Sequence, residues 1–149
     1  MTRSIQKLNI FIFAIFIAMA SLNIDYSSAA ATVQPTKFDI STLALINKYR
    51  SQRGLTVITT NRKLFLLARQ HSSYMAARRR LSHDGFRDRY ELSGFSTCVE
   101  NVAWNYSTPT ALFNGWRTSP GHNANLLSRS IRFAGVAKIG AYATFFACG

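Results

Sequence analysis

Apolar residues recur at helical spacing in two stretches of the chain and give way to strand-like runs at its end. The first stretch predicts a helix over Ile40–Arg53, with Leu43, Ile46 and Tyr49 at three-residue steps, Asp39 or Ser41 as its cap and Gly54 as its stop. Leu55–Ile58 is a brief apolar connection. The second helix is the clearest element. Asn61 can cap it, Leu64, Leu67, Ala68, His71 and Met75 form a buried stripe, and Arg62, Lys63, Arg69 and Gln70 occupy the opposite face. It ends near Arg79, where cations suit the negative end of the helix dipole.

Asp84–Thr97 has a mixed pattern, with a helical turn around Arg87–Glu91. Thr108 followed by Pro109 opens another helix through Leu112, Phe113 and Trp116, and Ser119-Pro120 repeats that signature ahead of His122 and Asn125. Phe133–Ile139 and Tyr142–Cys148 are rich in branched and aromatic residues and are separated by Gly140-Ala141, which reads as a hairpin. The second run is apolar on both faces, so its strand is central and covered on both sides. The expected fold is α+β: a three-layer α-β-α sandwich around a small, mainly antiparallel sheet.

The N-terminus changes how the composition is read. Arg3 and Lys7 precede an apolar run from Leu8 to Ala20, and a polar tail ends at Ala29 and Ala31. The run is shorter than the roughly 20 residues of a bilayer-spanning helix. Residues 1–31 therefore read as a signal peptide rather than as a retained membrane anchor, and the protein is expected to be secreted or periplasmic. A polar tether over 32–39 then leads into one domain over 40–149. In that oxidising setting Cys98 and Cys148 are expected to pair, the alternative being two buried free thiols.

The chain of 149 residues carries 18 Lys and Arg against 6 Asp and Glu, a net charge of +12. Thirteen of the 18 are arginine, including Arg78-Arg79-Arg80. In a cytoplasmic protein that excess would point to nucleic acid; after export it points to anionic envelope lipids or polyanions, or to a merely solvated basic face.

The candidate chemistry is sparse. No H-E-x-x-H, G-x-S-x-G, P-loop or dinucleotide fingerprint occurs, and there are three histidines. His83 follows the second helix, Glu100 lies in Cys98-Val99-Glu100-Asn101-Val102-Ala103-Trp104, and His122 lies in Ser119-Pro120-Gly121-His122-Asn123-Ala124-Asn125. Two imidazoles meeting in a cleft could hold zinc or another divalent metal weakly, with Glu100 as the catalytic candidate that polarises a water or orients a ring. The competing reading is a hydrogen-bonded cluster that braces the cleft. His71, on the apolar stripe, reads as a core histidine bonded to a backbone carbonyl or a nearby acid. Ser119 reads as a helix cap, and Asn125 as a structural support for loop backbone.

These three segments, in this order, resemble the CAP superfamily (the SCP/PR-1 or TAPS domain) in its bacterial-type form. The resemblance spans about Leu43 to Gly149. It implies an α-β-α sandwich whose cavity carries two histidines and two glutamates. By motif position these fall on His83, Glu100 and His122, while the second glutamate's place is taken by Ser119 and Val99 stands where a glycine is usual. It further implies roles in lipid or sterol binding, defence or host interaction without one shared reaction. The combined expectation is an exported, monomeric ligand-binding or envelope-interaction module rather than an enzyme. A weak zinc-dependent hydrolase using His83, His122 and Glu100 is the first alternative, and a basic lipid-surface or polyanion binder the second.

Overall fold

The structure, a computed structural model, describes residues 33–149; the expected signal peptide lies outside the described residues. Helix α1 spans Lys37–Ser51, starting ahead of Ile40 and so taking in the end of the expected tether. Its cap is Thr36, not Asp39 or Ser41. The Thr36 hydroxyl accepts from Asp39 N, and the Asp39 carboxylate accepts from Thr36 N at 2.8 Å, a reciprocal capping box. The second Asp39 oxygen accepts the Lys138 N–H at 2.9 Å, which ties the helix start to the sheet. That long-range bond lies outside local pattern.

Strand β1 (Thr59–Thr60) follows, then α2 (Arg62–Arg78), whose N-terminus is capped as expected by the Asn61 side chain accepting from Leu64 N at 3.1 Å. Helix α3 covers Phe86–Ser93, two turns where the sequence suggested one. Strand β2 (Cys98–Trp104) is an element that the hydrophobic pattern does not reveal. Helix α4 (Pro109–Thr118) is capped by Thr108, and α5 (Pro120–Leu126) follows at once. Ser119 occupies the cap position of α5 but its side chain makes no capping bond, so Pro120, with its φ preset, starts that helix unaided. Strands β3 (Phe133–Ile139) and β4 (Tyr142–Cys148) form the hairpin, turning at Gly140 with φ 56°.

The sheet runs β1-β3-β4-β2; β1 pairs with β3 in parallel and the other pairs are antiparallel. Successive β4 residues enter opposite layers. Phe145 and Ala147 join Leu43, Ile46, Leu112 and Trp116 from α1 and α4, whereas Phe146 and Cys148 join Leu64, Phe65 and Ala68 from α2. This alternation is the three-layer sandwich, and it makes β4 the buried centre. Cys98 and Cys148 face each other across β2 and β4 with Cα atoms 4.1 Å apart and form a disulfide. Closing a loop of 50 residues contributes roughly 4 kcal/mol in the chain-entropy account.

Helix α2 lies so close to β3 that a Cβ on Gly135 would come within 2.2 Å of the Phe65 backbone. Backbone cannot retreat as a flexible side chain can. Gly135→Ala is therefore expected to cost at least about 1–3 kcal/mol, the usual range for overpacking. Urea denaturation measures it, and a stability equal to the parent's would contradict this contact.

Candidate functional site

Strand β2 is an edge strand, and its pleat sends alternate side chains to different partners. Cys98, Glu100 and Val102 turn to the α2 side, where Val102 packs with Met75. Asn101 turns toward α5, donating to the His122 carbonyl at 3.0 Å and accepting from Asn125 Nδ2 at 2.8 Å. Asn125 also donates to the Glu100 carbonyl at 3.1 Å, so α5 is stitched to β2 through backbone and amide groups.

Glu100 is buried, its side chain only 1% exposed. Arg89 of α3 grips it with two charge-assisted bonds: Nε donates to Oε2 and Nη2 to Oε1, each at 2.8 Å. Arg89 is itself held by Nη1 donating to the Asp84 carbonyl at 2.8 Å. His83 Nδ1 lies 2.8 Å from Glu100 Oε1, so its N–H donates to the carboxylate. The rest of that ring is half exposed, with Nε2 free of any hydrogen bond within the described protein. His71 Nε2 sits 2.8 Å from the Ser82 carbonyl and 3.8 Å from Glu100 Oε1. The sequence reading of His71 as a core histidine holds: it bonds a backbone carbonyl, and the acid lies near without a hydrogen bond to it. What the sequence did not offer is Arg89, which has no motif around it and becomes a partner only through the placement of α3.

Burial lowers the His71 pKa below the usual imidazole value, against the opposing pull of Glu100 and the Ser82 carbonyl. Burial lowers that of His122 too, helped by repulsion from His83. Two depressions meet the cluster. One of about 310 Å³ is lined by His83, Phe86, Cys98, Val99, Glu100 and Asn125, and one of about 380 Å³ includes His71, Tyr74, Asp84 and Arg89. His122 lines neither.

The donor set does not fit a tightly held divalent ion. Both Glu100 oxygens are occupied, a guanidinium lies in direct contact with them, and Ser119 supplies no carboxylate. Among the described residues no three His, Cys, Asp or Glu side chains are grouped for metal binding.

With this arrangement in view, comparison with known proteins is informative. Residues 43–148 match the model of the CAP family, the cysteine-rich secretory protein family. The chain belongs to that family. Among solved structures, an extracellular protein with an SCP domain from Bacillus anthracis is 27% identical with a TM-score of 0.70, over 74% of this chain and 39% of that one. A cysteine-rich secretory protein from Staphylococcus aureus is 19% identical with a TM-score of 0.68, over 78% of this chain and 40% of that one. An outer surface protein from Borrelia burgdorferi is 16% identical with a TM-score of 0.66, over 71% and 87%. This chain thus spans about two fifths of the first two relatives. A search of curated protein sequences gives no match. The last two likenesses carry the CAP fold alone.

Two outcomes follow from the cluster. Glu100→Ala strands the Arg89 guanidinium in the interior, which is expected to cost about 3–5 kcal/mol of unfolding free energy. A loss below about 1 kcal/mol, the range of an exposed ion pair, would deny the pair its bracing role. As for pH, His71 and His122 hold protons less readily folded than unfolded, so below about 6.5 the unfolded chain binds more protons and stability falls as pH falls. Melting temperature followed through that window should drop, and His71→Gln should flatten the drop; an unchanged slope in the variant would refute the His71 contribution.

Proposed function

We propose that this CAP-domain protein is exported and acts by binding rather than by hydrolysis, taking a small lipid or sterol-like ligand in the depression beside Glu100. The observation that carries this reading is the commitment of Glu100. Both of its oxygens serve Arg89 and His83, so the carboxylate is poorly placed to act as a general base on water. The half-exposed His83 ring offers a polar contact at the mouth, and Phe86 and Val99 offer apolar wall. That combination suits a ligand with one polar end on an apolar body. Export draws support from the N-terminal segment and from the extracellular character of the B. anthracis relative.

The basic surface is the second strand of this reading. Among Arg78, Arg79 and Arg80, Arg78 lies over the Tyr74 ring and Arg80 pairs with Asp84, which leaves Arg79 at the left-handed helix end without a charged partner among the described residues. Such a patch would hold the protein near anionic envelope lipids or polyanions and would not specify the ligand.

The test combines three measurements on the purified protein. Fluorescent sterol and fatty-acid probes should bind, and His83→Trp, which fills the mouth, should weaken them. Chelation followed by zinc addition should leave both melting temperature and probe binding unchanged. Ester and peptide substrates with added zinc should show no turnover. Zinc-dependent hydrolysis abolished by Glu100→Gln would replace this reading with the metal-hydrolase one. Retention on phosphatidylglycerol vesicles should weaken with salt and on changing Arg78, Arg79 and Arg80 to alanine, and retention indifferent to salt would remove the basic face from the account.

A further inference from the structure

A third cavity, of about 120 Å³, is lined by Arg50, Gly54, Leu55, Thr56, Arg129 and Arg132. It shares no residue with the depressions at Glu100. Three arginines line it, Arg50 from the end of α1 and Arg129 and Arg132 from the turn between α5 and β3, and no carboxylate side chain among the described residues does. None of the ion pairs among the described residues uses any of the three.

Arg50 is the anchored member, only 1% exposed. Its Nε donates to the Thr56 carbonyl at 2.9 Å, and its Nη1 to the carbonyls of Leu126 at 2.7 Å and Ser128 at 2.9 Å. Those neutral acceptors fix the guanidinium but do not balance its charge. Nη2 makes no hydrogen bond with the described residues and is not sealed from solvent. Arg132, which is exposed, donates from Nη1 to the carbonyls of Arg129 at 2.7 Å and Ile131 at 3.4 Å and leaves Nε and Nη2 unused by the described residues. The crowding leaves a trace: burial, and then the charge of Arg132, both lower the Arg50 pKa. The negative charge of an anion in the cavity would oppose that lowering.

We propose that this cavity binds one tetrahedral oxyanion, a phosphate or sulfate group, between Arg50, Arg129 and Arg132. Shape and number favour a tetrahedral group. A planar carboxylate is served by a single arginine fork, as Glu100 is by Arg89. Donors arriving from three backbone positions suit an anion with oxygens in several directions and more than one charge. The cavity, of about 120 Å³, is roomy enough for such a group. The group could be a free ion or the exposed phosphate of a lipid.

The experiment titrates inorganic phosphate into the purified protein by calorimetry at constant ionic strength. Arg129→Ala with Arg132→Ala removes two exposed side chains and leaves Arg50, and hence the fold, in place. Lys37→Ala with Lys63→Ala removes the same charge elsewhere, away from the Arg78–Arg80 patch. Saturable one-to-one binding is expected in the parent and in the control pair. Losing two charge-assisted contacts should weaken it at least about tenfold in the pocket pair. Melting temperatures without phosphate, equal in parent and pocket pair, show that the variant is folded. A parallel arm uses phosphatidylcholine vesicles with and without phosphatidylglycerol. If phosphatidylglycerol-dependent capture also falls in the pocket pair alone, the site takes a lipid headgroup; if only inorganic phosphate is affected, it takes the free ion. No saturable phosphate binding by the parent, or equal weakening in both variants, overturns the proposal.

Discussion

Putting a carboxylate on the inner side of an edge strand obliges the rest of the molecule to neutralise it. Glu100 is in that position, and the elements around it are arranged to meet the need. Helix α3 brings Arg89, the loop before it brings His83, and α2 brings His71 to within 3.8 Å. An ion pair this deep loses most of its hydration, so it persists only where the remaining donors are also satisfied. Here they are: no buried side-chain nitrogen or oxygen among the described residues lacks a partner. The path of the chain from Ser82 to Ser93 is thus set less by its own propensity than by the carboxylate it must reach.

The disulfide acts on the same face of that strand, at its start. Cys98 is joined to Cys148 at the end of β4, the strand buried in both layers, so the start of β2 is fixed to the stiffest part of the sheet. Glu100 lies two residues further along and inherits that position. Asn125 bonds the Glu100 carbonyl, and Asn101 bonds the His122 carbonyl. Strand, helix α5 and imidazole are therefore placed by backbone contacts, which leaves the exposed ring of His83 as the adjustable part.

The sequence made the layers legible because the layers are local patterns. The stripe from Leu64 to Met75 and the two-faced apolar run of β4 each announce their burial, and the order of His83, Glu100 and His122 announced the family. What escaped was decided by tertiary contact. Asp39 looks like a cap until the Lys138 N–H is found on its other oxygen. Strand β2 hides because Glu100 and Asn101 are polar and buried, so no apolar alternation marks it. Ser119 has the right neighbour in Pro120 yet makes no capping bond. Arg89 is one arginine among thirteen, and nothing in the sequence separates it from those in solvent.

Burial sets the preference of His71 and His122 for the neutral form, and Arg89 lets it prevail. The Glu100 carboxylate favours a proton on His71, but the guanidinium beside it opposes that pull, so burial wins there as it does at His122. A second carboxylate at the position of Ser119 would tip that balance, favouring protonated or metal-bound imidazoles. Without it, the cluster is a bonded wall with one half-exposed ring, His83, free to meet a ligand. Arg50 is the converse case, fixed by carbonyls that carry no charge, so its positive field is left uncancelled. The same residue type therefore braces a bonded wall at one place and leaves a field open to an anion at another, and the difference is whether a carboxylate came with it.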